Sequence, residues 1–295
     1  MSPLLAKSFE KEKRNVTTWP ICLNTSTIRP AGLLDKISIA AETGYSAIEL
    51  WNDDLTQFEQ QGGSLSEIRQ RLQDSGLKVP GVIALFDWMQ SEGTRKEAAF
   101  GEVRRRMKQA AAVGAARIVA SPVPDWPNLD IGRAAARYRQ LLELGKESGV
   151  TPAMEFLGFF RNVYQLEQAV AIAQQAEHPD ACIVLDPFHL HRGGSGFGGV
   201  KLLKEVKISI CHFNDSPASP RQFEQVDGDR VYPGDGILPL GQMLRDLVSI
   251  GYKGYLSVEL FNPTYWQQNL REVARIEREK TESVMAEVDV SSSIT

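Results

Sequence analysis

The feature that most constrains this chain is a regular alternation of short apolar runs with amphipathic helical segments. The apolar runs are rich in β-branched residues, as in Cys182–Leu185 and in residues 255–260. Continuous runs of this kind are typical of strands that are buried on both faces of a parallel sheet. Eight strand–helix units follow one another, from a predicted strand at residues 19–26 to a last helix over residues 265–286. Between them we predict, among others, a strand at Ala47–Trp51, a helix at Ile131–Ser148 and a short helix that includes residues 202–206.

This alternation predicts the fold. Unbroken strand–helix repeats require right-handed crossovers and therefore a parallel sheet. Eight units in 295 residues match the size of an α/β-class (β/α)₈ TIM barrel. A doubly wound open sheet is the rival, but it normally carries a glycine-rich turn after an early strand, and Asn24-Thr-Ser-Thr contains no glycine. We predict a single TIM-barrel catalytic domain at residues 19–287, with a polar lead-in at 1–18 and a flexible tail at 288–295.

Composition narrows the classes of partner. The net charge of −4 and the lack of a long basic run argue against nucleic-acid binding. Cys22, Cys182 and Cys211 show no metal-type spacing and are expected to be reduced and buried. No apolar stretch reaches the length of a signal peptide or a membrane span. We therefore predict a cytoplasmic protein without a nucleic-acid or membrane partner, and we leave a homo-oligomer open.

Four of the predicted strands end on side chains that commonly bind metals. These residues are Glu155, Asp186, His212 and Glu259. Taken singly, a carboxylate at a strand end can also cap the next helix. In a (β/α)₈ barrel, however, all four strand tips lie on the C-terminal face, where active sites are found. The four side chains are therefore expected to converge on one point.

A shared cation is the simplest reason for such a cluster. Three carboxylates around one imidazole repel each other and are costly to bury unless a positive ion lies among them. Three oxygen ligands and one nitrogen favour Mn²⁺, Mg²⁺ or Co²⁺ over a thiolate-type zinc site, although Zn²⁺ is also compatible. We predict one divalent metal ion as the cofactor.

The residues around these ligands resemble a known family, the xylose-isomerase-like TIM barrels. The similarity covers nearly the whole chain and is closest to the sugar isomerase/epimerase branch, with its ketose 3-epimerases and inositol-catabolism enzymes. Its motifs are Met154-Glu155, Leu185-Asp186-Pro-Phe-His189, Cys211-His212-Phe-Asn-Asp215-Ser216, Tyr232-Pro-Gly-Asp-Gly236 and Ser257-Val-Glu259.

The resemblance implies roles for particular residues. Glu155 and Glu259 would exchange protons with the substrate as well as bind the metal. His189 would contact a substrate oxygen, and Arg230 lies in a loop that often supplies an arginine for the same purpose. Asp215 belongs to the histidine motif and is a further candidate for substrate binding.

Two aromatic side chains are candidates for the pocket wall. Trp51 and Phe86 lie at or just past strand ends, where they could line the pocket.

Two departures from the family pattern concern the substrate. Leu157 replaces a residue that is polar in many members, and Ala218 stands where ketose epimerases carry a loop arginine. The identity of the substrate therefore stays open.

The predicted reaction is isomerisation or epimerisation of a ketose or keto-polyol. One glutamate would remove a proton next to the carbonyl, giving a metal-stabilised enediolate, and the other would return a proton. Loss of a β-hydroxyl from the same enediolate would instead make the protein a dehydratase or lyase, for example on a dehydroshikimate-like substrate.

Two further alternatives are weaker. An endonuclease IV-like nuclease would need more histidines than this chain has, because none precedes His178 and Val231 replaces an expected one. A non-catalytic sugar-binding barrel would not need both glutamates.

Overall fold

The computed structural model describes residues 19–124 and 129–288, and eight parallel strands close into a barrel in chain order. The last strand pairs with the first, with Val258 opposite Leu23. The predicted (β/α)₈ TIM barrel is therefore confirmed. Strands β1 to β8 are Ile21–Asn24, Ala47–Trp51, Val82–Leu85, Arg117–Ala120, Thr151–Met154, Cys182–Leu185, Lys207–Phe213 and Leu256–Val258. The predicted lead-in at 1–18 and residues 289–295 of the predicted tail lie outside the described residues.

Helices cover the barrel between successive strands. The helix predicted at Ile131–Ser148 has these bounds in the structure, and it ends where Gly149 adopts a φ of 70°. A positive φ is readily accessible to glycine, which is why this residue stops the helix. Helices α1 to α10 are Leu33–Glu42, Asn52–Gln60, Leu65–Asp74, Gly93–Ala112, Ile131–Ser148, Leu166–Gln175, Pro187–Arg192, Leu240–Ser249, Pro263–Trp266 and Leu270–Ala286.

Three short helices were not predicted, namely α2 after β2, α7 after β6 and α9 after β8. Two of them, α7 and α9, begin with a capping side chain followed by proline. The Asp186 carboxylate accepts a hydrogen bond from the Phe188 amide at 2.8 Å, and Pro187 occupies the first turn of α7. The Asn262–Pro263 pair starts α9 in the same way. The single last helix predicted at residues 265–286 is therefore wrong, because α9 and α10 are separate.

One predicted helix is absent from the described part of the chain. Residues 202–206 were expected to form a short helix, but the structure has only a 3₁₀ turn at Val200–Leu202. The physical reason is length, since β7 already begins at Lys207 and leaves no room for further turns.

The core positions the site at one end of the barrel. A large apolar cluster fills the space between strands and helices, and a smaller one fills the barrel interior. The interior cluster consists of Ile83, Ala84, Val119, Ala153, Cys182, Val184 and Ile210. These residues are apolar, and the polar side chains of the site lie beyond them, at the C-terminal ends of the strands. As expected, the three cysteines are buried and unpaired. None of the described helices combines the length and the apolar character that crossing a bilayer requires.

Candidate active site

The structure brings the four predicted metal ligands together at the C-terminal end of the barrel. Glu155, Asp186 and Glu259 each follow the last residue of a strand directly, and His212 is the penultimate residue of β7. One ligand atom each from Asp186, His212 and Glu259 lies within 4.8 Å of the others. The fourth residue, Glu155, places its Oε1 3.6 Å from His212 Nδ1. All four side chains are buried.

Glu155 is held from the side by a serine that sequence reasoning did not identify. The Ser121 hydroxyl, just past the end of β4, donates a hydrogen bond to Glu155 Oε2 at 2.8 Å. Burial raises the pKa of the Glu155 carboxyl to about 8, against the attraction of the neighbouring His212. A cation beside this carboxylate would favour its ionised form.

His212 is surrounded by carboxylates. Its Nδ1 is 3.2 Å from Glu259 Oε2, and its Nε2 is 3.1 Å from Glu49 Oε2. Burial lowers the pKa of His212, but Glu259 and Glu49 outweigh this effect and raise the pKa well above its usual value. Neither ring nitrogen makes an aligned hydrogen bond within the described residues, so both are close charge contacts.

These contacts provide a test of whether a metal ion fits the site. The Nδ1 atom is a buried nitrogen without a formed hydrogen bond, and carboxylate oxygens of Glu155 and Glu259 lie beside it. Asp186, His212 and Glu259 form a group of two carboxylates and one imidazole whose ligand atoms lie close together, and Glu155 Oε1 lies 3.6 Å from the same imidazole. Oxygen and nitrogen donors of this kind suit a hard or borderline divalent cation. The residues therefore fit a divalent metal.

Arg230 lies directly against two of the predicted ligands. Its Nη1 donates hydrogen bonds to Asp186 Oδ2 and Glu259 Oε2, both at 2.9 Å, and its Nη2 donates to Asp227 Oδ1 at 2.7 Å. The side chain is only 1% exposed. Burial alone would raise the pKa of Asp186, but Arg230 reverses this and lowers the pKa to about 2. In this structure Arg230 thus neutralises two carboxylates that are predicted metal ligands, and contact with the substrate stays a prediction.

His189 lies between two hydrogen-bond donors. Its Nδ1 accepts a hydrogen bond from the backbone N–H of Gly158 at 3.2 Å, and its Nε2 lies 3.0 Å from Arg230 Nη2, which can only donate. The same Nε2 lies 3.7 Å from Asp186 Oδ2. Burial lowers the pKa of His189, which favours the neutral ring. A neutral ring carries one proton and cannot accept both hydrogen bonds, and contact between His189 and a substrate oxygen stays a prediction.

Asp215 interacts with the backbone of its own loop. Its Oδ1 accepts hydrogen bonds from the Ser216 and Leu238 amides at 2.8 and 3.0 Å. Its Oδ2 accepts from the Gly234 and Gly236 amides at 3.0 and 3.1 Å. These four bonds hold the loop between β7 and α8, and a role for Asp215 in substrate binding stays a prediction.

The two predicted wall residues lie in different environments. Trp51 donates from Nε1 to Asn24 Oδ1 at 3.2 Å and packs edge-on against Phe261, with 5.8 Å between ring centroids. Phe86 is 43% exposed and packs beneath the Arg106 guanidinium. Trp51 is thus next to residues of the site, whereas Phe86 lies on the rim.

Glu49 is a further residue that the sequence analysis did not assign to the site, and the structure connects it to His212. Glu49 is the middle residue of β2, is fully buried and approaches His212 through the barrel interior. Asn24 Nδ2 donates to both Glu49 Oε2 and Glu259 Oε1, at 3.1 and 3.2 Å. A glutamate in the middle of an apolar strand was the available signal, since buried carboxylates need a partner.

Together, the closed barrel and the buried carboxylate–histidine cluster define a metal-competent (β/α)₈ barrel. Residues 37–280 match the family described as Xylose isomerase-like TIM barrel. The chain belongs to this family.

Relatives with known names agree with this assignment. The chain is 29% identical over 272 residues to the inosose isomerase of Halalkalibacterium halodurans, covering 90% of this chain and 96% of that protein. It is 28% identical over 243 residues to the 3-dehydroshikimate dehydratase of Pseudomonas aeruginosa, covering 80% of this chain but 37% of that protein. The solved structure of the IOLI protein with a bound zinc atom superimposes with a TM-score of 0.84 and 26% identity, covering 91% of this chain and 99% of that one.

Proposed function

We propose that this protein is a divalent-metal-dependent isomerase or epimerase that acts on a cyclic keto-polyol of the inosose type or on a ketose. The observation that carries the proposal is the position of two buried glutamates around His212 Nδ1, with Glu259 at 3.2 Å and Glu155 at 3.6 Å. Similarity to inosose isomerases over 90% of the chain supports the choice of substrate class.

The cofactor in this proposal is held by Glu155, Asp186, His212 and Glu259. A divalent cation at this position would supply Lewis-acid polarisation of the substrate carbonyl, which acidifies the neighbouring C–H bond. Mn²⁺, Mg²⁺ and Co²⁺ suit the oxygen-rich donor set, and Zn²⁺ is also compatible.

The side chains of this protein then have separate tasks. One of the two glutamates takes the proton from the carbon next to the carbonyl, and the other delivers a proton to the opposite face or to the adjacent carbon. His189 contacts a substrate oxygen through Nε2, the ring nitrogen that lies beside Arg230 and Asp186. The buried guanidinium of Arg230 limits the negative charge of the cluster through Asp186 and Glu259.

A dehydratase is the second candidate, and the 28% identity to a 3-dehydroshikimate dehydratase favours it specifically. Both reactions begin with removal of a proton next to a carbonyl. They differ afterwards, because a dehydratase loses a hydroxyl group and forms a conjugated product. Product analysis on a keto-inositol and on dehydroshikimate therefore separates the two.

Glu155→Gln and Glu259→Gln test the proposed proton transfers. Each change keeps the size and one oxygen donor but removes the base, so turnover should fall by about 10²–10⁴-fold while the metal still binds. Deuterium incorporation from D₂O, measured by NMR on a panel of keto-inositols and ketoses with Mn²⁺ present during turnover, reports each proton transfer. One variant can still exchange protons on the intact face without forming product.

Glu67→Gln on the surface of α3 is the matched control, because this exposed glutamate pairs with the exposed Arg71 and, within the described residues, has no other ion-pair partner. It should leave turnover unchanged. Near wild-type turnover in both active-site variants, with metal bound, would rule out the two-glutamate mechanism. Full activity of wild-type protein shown by metal analysis to be metal-free would rule out metal dependence. Neither test depends on where the protein is located or on whether it forms a homo-oligomer.

A further inference from the structure

Glu49 is the buried carboxylate that the proposed chemistry does not use. It lies in the middle of β2 and is fully buried. Within the described residues, its only ion-pair contact is His212 Nε2, 3.1 Å from Glu49 Oε2. Burying a carboxylate is costly unless it has a positive partner. The pairing of Glu49 with His212 therefore calls for a structural or functional reason.

The neighbours of Glu49 hold one of its two oxygens, Oε2, whereas Oε1 is buried without a hydrogen-bond partner within the described residues. The Ser257 hydroxyl donates to Glu49 Oε2 at 2.6 Å, and Asn24 Nδ2 donates to the same oxygen at 3.1 Å. On the other side, a Cβ atom at Gly81 would lie 2.5 Å from Glu49 Oε1. The glycine therefore leaves space that the glutamate fills. These contacts orient Oε2 towards the histidine.

The same contacts link Glu49 to the predicted metal ligands. Asn24 donates to Glu259 as well as to Glu49, which connects two carboxylates on opposite sides of the His212 ring. One nitrogen of that ring faces Glu49, and the other faces Glu155 and Glu259. The histidine is thus placed between an outer carboxylate and an inner group of ligands.

We propose that Glu49 is a positioning residue for the metal site. Its carboxylate retains the proton of His212 on Nε2 and thereby leaves Nδ1 as the nitrogen that ligates the metal. Outer carboxylates of this kind fix the tautomer and raise the basicity of a ligating histidine, and removing them typically weakens metal binding by about 10–100-fold. The inference rests on the metal site of the proposed function.

The alignment of the ring gives the proposal a specific consequence. Nε2 and Glu49 are in contact, but they do not form an aligned hydrogen bond in this structure. When a cation occupies Nδ1, His212 should present an Nε2–H to Glu49. Only four histidines occur in the chain, so this state is accessible to ¹⁵N-histidine NMR of protein loaded with diamagnetic Zn²⁺ or Mg²⁺, with His212 assigned by substitution.

The test compares Glu49→Gln with Ser257→Ala. Glu49→Gln keeps the shape of the side chain but removes its charge, whereas Ser257→Ala removes a hydrogen bond to the same oxygen and leaves the carboxylate beside His212. Dissociation constants for Mn²⁺ and Zn²⁺ are measured by calorimetry with a competing chelator. Unfolding midpoints of the metal-free proteins are measured in parallel. We expect about 10–100-fold weaker binding for Glu49→Gln, and less than about 3-fold for Ser257→Ala.

A purely structural role for Glu49 would instead lower the unfolding midpoint and leave the dissociation constants unchanged. That result would overturn the inference, as would metal-loaded wild-type protein in which His212 carries its proton on Nδ1. If Glu49→Gln does not fold, Glu49→Asp decides, because it keeps the charge but withdraws it from Nε2 and should also weaken metal binding. Wild-type protein that binds no divalent cation would overturn the proposed function itself, which distinguishes the two failures.

Discussion

The guanidinium of Arg230 gives the sharpest stability prediction for this protein. It is 1% exposed and donates to Asp186 and Glu259 at 2.9 Å each. Arg230→Met keeps a long apolar stem of similar length, which can still pack between the Phe188 and Phe261 rings that flank the guanidinium. The substitution therefore removes the charge while perturbing the packing as little as possible.

The expected cost follows from the burial of the carboxylates that remain. Removing one partner of a buried ion pair typically costs about 3–5 kcal/mol, because the other charge stays buried and uncompensated. At roughly 2 °C per kcal/mol for a chain of this size, the unfolding temperature should fall by about 6–10 °C. The matched control is Arg275→Met, whose side chain is 44% exposed and pairs with Glu272 on the surface of α10. That change should cost about 1 kcal/mol or less.

Equilibrium urea unfolding of the metal-free variants measures both costs. Repeating the measurement with saturating Mn²⁺ adds a second check, because a cation bound by Asp186 and Glu259 would replace part of the lost positive charge. The difference between Arg230→Met and wild type should then become smaller. If the two methionine variants lose the same stability without metal, the charge-compensation argument for Arg230 is refuted.

Two other predictions concern residues outside the metal cluster. Burial raises the pKa of the Glu277 carboxyl well above its usual value, although Tyr45 and Thr27 partly oppose this. A raised folded-state pKa contributes stability that is fully present below the unfolded pKa and is lost as pH rises towards the folded pKa. Urea unfolding measured as pH rises above the usual glutamate pKa should therefore show Glu277→Gln gaining stability relative to wild type, by at most about 1.4 kcal/mol per pH unit. A pH-independent difference would contradict this. Asp215→Asn should cost roughly 1.5–3 kcal/mol and accelerate hydrogen exchange at the Gly234, Gly236 and Leu238 amides, since a charged acceptor of four backbone hydrogen bonds is lost. Unchanged exchange at these amides would show that the loop does not depend on Asp215.

Much of the fold could be predicted from local patterns, because strand and helix periodicities are properties of neighbouring residues. The run Ala47–Trp51 and the segment Ile131–Ser148 have the same bounds in the sequence analysis and in the structure. The short helices α7 and α9 were not predicted because they depend on a single cap followed by proline, with too few residues for a periodic pattern. The Asp186–Pro187 and Asn262–Pro263 pairs were the signals available for them.

The sequence by itself determined which side chains stand at the strand tips, since each tip follows from where an apolar run ends. Only the tertiary structure decided how they meet. Glu49 and His212 lie on β2 and β7, and they come into contact because barrel closure points both into one narrow interior. The way in which the chain between β7 and α8 folds back points Arg230 towards Asp186 and Asp215 towards its own loop. Residue types and spacing do not encode these directions, because each arises from contacts between segments that are distant in the chain.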